Sequence, residues 1–142
     1  EADKEVEITY SATYNKITKK ITENYDIIST ESLTISKMIM DKEHHLSKAI
    51  SDATFNEILE QLEYKAKERG KYFYKISPYY PSSQICSVCN NIDKKYKNLD
   101  ERMYECNRCY SKLDRDFNAS VNIMFEGLKL HIMAPMKNLS TR

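Results

Sequence analysis

Pro81-Ser-Ser-Gln-Ile-Cys-Ser-Val-Cys89, then Cys106-Asn-Arg-Cys109, then Leu113-Asp-Arg-Asp-Phe-Asn-Ala-Ser-Val-Asn-Ile123 make up the stretch on which the fold turns. It holds all four cysteines of the 142-residue chain, as two Cys-x-x-Cys pairs with sixteen residues between them. Two close pairs at about this separation match zinc-ribbon spacing, in which each pair forms a tight knuckle and four thiolates meet Zn²⁺ tetrahedrally. Two disulfides or redox dithiols are the rival readings. Disulfides suit secreted chains, and the acidic start (Glu1, Asp3, Glu5, Glu7) is unlike a secretory signal. A redox dithiol needs no matching second pair. Cys86, Cys89, Cys106 and Cys109 are therefore the expected ligands of a structural zinc, within a ribbon over 81–112.

Outward from the ribbon, the flanks read as a larger fold into which it is inserted. Tyr72-Phe-Tyr-Lys-Ile76 alternates as a strand and stops at Pro78. Before it, Phe55, Ile58, Leu59, Leu62 and Ala66 mark one side of a helix that starts at Ser51 or Asp52 and ends at Gly70. Residues 32–50 lack clean periodicity and read as loop with a little helix, with His44 and His45 exposed. Tyr25-Asp-Ile-Ile-Ser-Thr30 reads as a buried strand whose end carries Glu31, and Tyr10, Tyr14, Ile17, Ile21 and Tyr25 recur as one helix face. A carboxylate at the mouth of an apolar strand is costly if buried unpaired, so Glu31 is either solvated or placed there for a purpose. After the ribbon, Asp116 stands where a helix cap belongs, with Phe117, Val121, Met124 and Leu128 behind it as the packing face. The segment 131–142, with Pro135, reads as a flexible tail.

With 41% hydrophobic and 30% charged residues the chain can bury a core, which argues against wholesale disorder. No apolar run reaches the roughly 18–20 residues of a membrane span, so a soluble intracellular protein with no membrane partner is expected. Net charge is only +1. Residues 61–112, however, hold eleven Lys/Arg against six Asp/Glu. That modest basic region reads equally as a solvated face or as a surface for nucleic acid.

Four blocks in this order resemble the C-terminal part of the TnpB family, the insertion-sequence proteins also labelled OrfB or transposase and related to type V CRISPR effectors and Fanzor proteins. They are Tyr25-Asp-Ile-Ile-Ser-Thr-Glu-Ser-Leu33, Gln61-Leu-Glu-Tyr-Lys-Ala66 ahead of Gly70, Pro81 to Cys89, and Asp114-Arg-Asp-Phe-Asn-Ala-Ser-Val-Asn-Ile123. The ribbon followed closely by Asp-Arg-Asp-x-Asn-Ala is the most specific of these signals. The resemblance implies an α/β fold, a partial RNase H-like (RuvC) domain with an inserted zinc ribbon: nuclease elements over 1–80, the ribbon over 81–112, and a final nuclease segment over 113–130. It implies RNA-guided cleavage of DNA, with DNA and guide RNA as partners. It also implies two Mg²⁺ ions held by carboxylates, because hard cations favour oxygen ligands and in-line phosphodiester hydrolysis uses a metal on each side of the phosphate. Glu31 matches the second catalytic acid and Asp116 the third; Asp114 is a near neighbour. Lys94, Lys95, Lys97, Arg108 and Arg115 are the expected nucleic-acid contacts.

Two departures qualify the resemblance. The family's first catalytic Asp, in an early strand, has no counterpart here, and neither does its guide-recognising N-terminal domain. The chain is therefore expected to be incomplete as a nuclease without the N-terminal half of the same protein. The residue after each cysteine pair, usually Gly, is Asn90 in one knuckle and Tyr110 in the other. If the knuckle needs a positive φ, Asn tolerates it and Tyr does so poorly. Besides the nuclease part, a nuclease-dead DNA- or RNA-binding protein and a purely structural or interaction ribbon remain as readings.

Overall fold

The computed structural model describes residues 2–32, 45–97 and 101–137. Its elements are α1 (Ala2–Asn24), β1 (Ile27–Glu31), α2 (His45–Glu68), β2 (Tyr72–Ile76), a 3-10 turn (Lys94–Lys97), β3 (Met103–Glu105), β4 (Lys112–Asp114) and α3 (Arg115–Lys137). β1 pairs with β2, and β3 with β4. The mixed helix and strand order is the one expected. No helix among the described residues is long and apolar enough to cross a membrane.

β1 and β2 run in the same direction. Tyr72 N–H donates to Asp26 O where they begin, at 2.9 Å, and the Ser32 hydroxyl donates to Ile76 O where they end, at 2.7 Å. Parallel neighbours need a long crossover, and α2 lies in the connection between them. The chain clusters into two compact units, Glu1–Ile28 with Leu33–Phe73, and Ser29–Ser32 with Tyr74–Arg142. The end of β1, which carries Glu31, thus groups with the ribbon and α3, whereas the sequence reading divides the chain at residue 80.

In the first unit α1 lies against α2, and each helix is longer than its pattern indicates. α1 begins at Ala2, not near Tyr10, and α2 begins at His45, so Ser51 and Asp52 lie inside it. The expectation for His44 lies outside the described residues, as does that for the side chain of His45. α2 buries Leu59, Leu62 and Ala66 as expected. It ends as expected at Gly70, whose φ is 66°. There Lys71 N–H bonds Ala66 O and Gly70 N–H bonds Lys67 O, a Schellman closure that needs the left-handed residue. Among the described side chains of α1, residues 11–24, Thr18 and Thr22 are buried and Ile17 is exposed. Lys65 of α2 is buried beside them. Its three-donor ammonium lies within hydrogen-bond distance of Asn15 O (3.0 Å), Asn15 Oδ1 (2.5 Å), Thr18 Oγ1 (2.6 Å) and Gln61 Oε1 (3.1 Å). Apolar periodicity misplaces the α1 face because the contact is built around this polar cluster.

In the second unit β3 and β4 form an antiparallel hairpin, Met103 opposite Asp114, Tyr104 opposite Leu113 and Glu105 opposite Lys112. An isolated bridge, Ile85 to Ile92, closes the other half of the ribbon. The ribbon's core is Cys86, Cys106, Tyr96 and Tyr104, with Cys89 and Cys109 packed against it. The two tyrosine rings are 4.3 Å apart, and both hydroxyls are satisfied: Tyr96 bonds Glu105 N and O, and Tyr104 donates to Gln84 O.

α3 docks in a way the sequence reading does not anticipate. Phe117, Met124 and Leu128, expected to pack, are exposed, while Asn118 and Asn122 are buried. Asn118 accepts from Ser87 N (2.9 Å) and donates to Ile85 O (2.7 Å). Asn122 donates to Ser82 O (2.8 Å) and Ile85 O (2.7 Å). Two side-chain amides one helical turn apart thus satisfy carbonyls of the irregular segment leading into the first knuckle. The helix also continues to Lys137 with Pro135 inside it, where a flexible tail is expected from 131. His131 Nδ1 lies 2.9 Å from the Tyr74 hydroxyl of β2, which anchors these last turns.

Candidate functional site

The four cysteine sulfurs lie within 4.8 Å of one another, the only such group of His, Cys, Asp or Glu among the described residues. Cys86 Sγ and Cys109 Sγ are 3.7 Å apart, and Cys89 Sγ and Cys106 Sγ 3.6 Å. Four Zn–S bonds of about 2.3 Å directed to the corners of a tetrahedron put the sulfurs about 3.8 Å apart, so the cluster has the size that zinc requires. A disulfide would need about 2.05 Å. The two knuckles share one backbone pattern. Asn90 N–H bonds Cys86 O (2.8 Å) and Cys86 N–H bonds Asn91 O (2.8 Å); Tyr110 N–H bonds Cys106 O (3.0 Å) and Cys106 N–H bonds Ser111 O (2.9 Å). Both turns need a left-handed residue, Asn90 at φ 59° and Tyr110 at φ 61°.

The thiols are electrostatically uneven. The hydroxyl and backbone of Ser111 draw Cys109 down to about 6. Asn91 pulls Cys89 the same way, but burial and the three neighbouring thiols outweigh it and push Cys89 up to about 12. Four clustered thiols cannot all ionise without a cation among them, which is the condition a divalent metal relieves.

The predicted acids come from two elements. Glu31 closes β1, and its Oε1 accepts a short hydrogen bond from the buried Ser82 hydroxyl. The carbonyl of Ser82 is in turn held by Asn122 of α3. Asp114, not Asp116, caps α3: its Oδ1 accepts from Asp116 N and Phe117 N, each at 2.9 Å. Asp116 is therefore released from capping, and its side chain is 80% exposed. Its Oδ1 takes both Arg115 bonds, from Nε at 3.1 Å and Nη2 at 2.9 Å, which leaves Oδ2 outside that pair.

Gly127 explains how close the two elements come. A Cβ there would lie 1.7 Å from Ser29 Oγ and 2.5 Å from Ser29 Cβ, so α3 rests its backbone on β1. Residues eleven apart on a helix differ by about 20° in direction, so Asp116 lies on the same side of α3 as Gly127. Side chains two apart on a strand share a face, so Glu31 lies on the face of β1 that Ser29 turns to α3. Eleven residues are also about 16 Å of helix, so the contact fixes the direction of Asp116 and not its distance from Glu31. Glu31, Asp114 and Asp116 do not come together within 4.8 Å as a ligand group.

The expected nucleic-acid contacts divide. Lys94, Lys97 and Arg108 are exposed on the ribbon. Lys95 places its ammonium 4.6 Å from the centre of the Tyr96 ring, and Arg115 engages Asp116. Four residues that build the site escape the sequence reading: Ser82, Asn118, Asn122 and Gly127. Gly127 carried a usable signal, being one of only two glycines in the chain and set inside a helical pattern.

Residues 55–123 match the family described as Cas12f1-like, TNB domain. Over 111 residues the chain is 35% identical to a protein of Streptomyces pristinaespiralis named as a candidate RNA-guided DNA endonuclease, a match covering 78% of this chain and 26% of that one. It is 31% identical over 91 residues to the CRISPR-associated endodeoxyribonuclease Cas12f1 of Sulfoacidibacillus thermotolerans, covering 64% and 21%. It is 26% identical over 124 residues to the CRISPR-associated DNA-binding protein Cas12m of Pelobacter propionicus, covering 81% and 18%. The chain thus spans about a quarter or less of these relatives' length. Its fold is similar to a chain in the cryo-EM structure of a Cas12f1–sgRNA–target DNA complex, with a TM-score of 0.62 at 20% identity over 85% of this chain and 35% of that one. The match of residues 55–123 to the Cas12f1-like TNB domain, with relatives named for RNA-guided DNA cleavage, supports a TnpB-like C-terminal part.

Proposed function

We propose that this chain supplies the C-terminal nuclease part of a TnpB-like RNA-guided DNA endonuclease. Glu31 and Asp116 act as Mg²⁺ ligands of a partial RNase H-like (RuvC) site, and the four cysteines hold a structural zinc. The observation that carries this reading is the Gly127–Ser29 contact, which sets the Glu31 face of β1 against the Asp116 side of α3. The donor chemistry fits a hard cation: two carboxylates, one positioned by Ser82 and one with an oxygen outside its arginine pair. Asp114 Oδ1 accepts from two backbone amides of α3, and in this reading Asp114 has a positioning role at the helix start.

When bound, the two metals activate water and stabilise the leaving oxygen. Glu31 and Asp116 would hold the ions, Ser82 fixes the Glu31 carboxylate, and Arg115 restrains Asp116. A third carboxylate and the recognition of guide RNA and target DNA come from the N-terminal half of the same protein. The exposed apolar side of α3, with Phe117, Met124, Leu128 and Ile132, supports further polypeptide covering it. The test is Mg²⁺-dependent cleavage of labelled DNA by this chain combined with the upstream half. Glu31→Gln and Asp116→Asn are expected to abolish cutting. If Glu31→Gln cuts as well as the parent, the assignment fails.

A second reading, a nucleic-acid binder that does not cut, is favoured by the relative named as a DNA-binding protein. It expects salt-dependent DNA or RNA binding that survives Asp116→Asn, with no cleavage in any combination.

A further inference from the structure

The two zinc knuckles are an internal comparison. Their hydrogen bonds match pair for pair, and each ends in a residue of positive φ, Asn90 at 59° and Tyr110 at 61°. Asn is at home in this conformation because its short polar side chain bonds locally; for tyrosine it is uncommon and strained. The ribbon accepts that strain at Tyr110 without an internal return. The ring is 82% exposed, so it packs against little within this structure. By contrast, Tyr96 and Tyr104 of the same ribbon are fully buried and hydrogen-bonded. Strain held at an exposed position points from the outlier to a use for its side chain.

The surroundings indicate which use. Tyr110 stands two residues after the exposed Arg108 and two before the exposed Lys112, whose ammonium also pairs with Glu105 at 3.0 Å. A planar ring flanked by cations is the arrangement by which proteins hold single-stranded nucleic acid, the cations following phosphates and the ring stacking on a base without regard to its identity. We propose that Tyr110 is a stacking residue of the ribbon, taking an unpaired nucleobase of single-stranded DNA or RNA on its ring. This deepens the nucleic-acid reading above and rests on it.

The test uses the zinc-loaded full chain and fluorescence anisotropy with labelled oligo-dT and with an abasic oligonucleotide of equal length and charge. The parent and Tyr110→Phe, which keep the ring, are expected to bind oligo-dT alike and more tightly than the abasic strand. Tyr110→Gly is expected to lose about 5- to 100-fold on oligo-dT, the usual worth of one stacked base, and little on the abasic strand. At the same time its thermal midpoint should rise, because glycine relieves the left-handed strain. A merely structural tyrosine cannot produce that combination of a firmer ribbon and weaker binding. If Tyr110→Gly binds oligo-dT as the parent does, the stacking role is overturned and the nucleic-acid reading stands. If the parent shows no salt-sensitive binding to either strand, both fall.

Discussion

Replacing Gly127 by alanine tests the contact that sets the Glu31 face of β1 against the Asp116 side of α3. The new Cβ would meet Ser29 Oγ at 1.7 Å and Ser29 Cβ at 2.5 Å. Rotating the serine removes the first clash and leaves the second, because Cβ moves only with the strand backbone. To restore ordinary contact, α3 and β1 must part by roughly 1 Å. Overpacking of this kind costs about 1–3 kcal/mol, against a gain of about 1 kcal/mol from exchanging glycine for alanine inside a helix. In a Ser29→Gly background the nearest remaining atom is the residue 29 Cα at 3.6 Å, an ordinary separation, so the same alanine should there stabilise the protein. The overpacking cost thus depends on residue 29, and a double-mutant cycle by urea unfolding of the zinc-loaded protein should return it as a coupling of about 1–3 kcal/mol. Mg²⁺-dependent cleavage with the upstream half should fall in the single Gly127→Ala variant and recover in the double variant. Equal effects of Gly127→Ala in both backgrounds would refute the close approach and the placement of the acids built on it.

Three further outcomes follow from the same geometry. Asp114→Ala removes the cap of α3 and should cost about 1 kcal/mol in urea unfolding, whereas Asp116→Ala, which caps nothing, should stay within about 0.5 kcal/mol while abolishing cleavage. Equal stability losses would show that both residues serve the helix. Zinc removal by a chelator should unfold the ribbon, since its core is four cysteines and two tyrosines with no buried aliphatic residue among them; loss of the Tyr96 and Tyr104 near-ultraviolet circular dichroism reports it, and an unchanged signal would exclude a zinc-dependent core. Burial, with Arg69 nearby, lowers the Lys65 pKa below its ordinary 10.5. Between the lowered value and 10.5 the unfolded chain holds the extra proton, so stability should rise with pH through that window and stay flat below it, a slope that Lys65→Met should erase in alkaline unfolding curves.

What could be read from the sequence, and what could not, follows the range of the interactions involved. The four-cysteine cluster, the left-handed knuckle residues and the Gly70 helix end were legible because spacing and residue type within each short motif carry the geometry. The end of β1 was legible for the same reason: a β-branched run stops at a charge. The packing face of α3 was not. Apolar periodicity selects Phe117, Met124 and Leu128, yet the surface α3 meets on the ribbon side is a loop with unpaired carbonyls at Ser82 and Ile85, and a loop of that kind is matched by amide donors rather than methyl groups. Nothing near Asn118 or Asn122 in sequence announces those carbonyls.

The same misreading hides the functional assignment of the two aspartates. In sequence, Asp116 stands where a cap could be, and there the capping role competes with the catalytic one. In the structure the competition disappears, because β4 runs through Asp114 and α3 begins at Arg115, so Asp114 alone is placed to reach the orphan amides of the first turn. A carboxylate in the first turn that caps nothing and stays exposed has no evident part in holding this fold together. That leaves Asp116 suited to cation chemistry, and it makes the contrast between Asp114→Ala and Asp116→Ala the sharpest separation of structure from function that this chain offers.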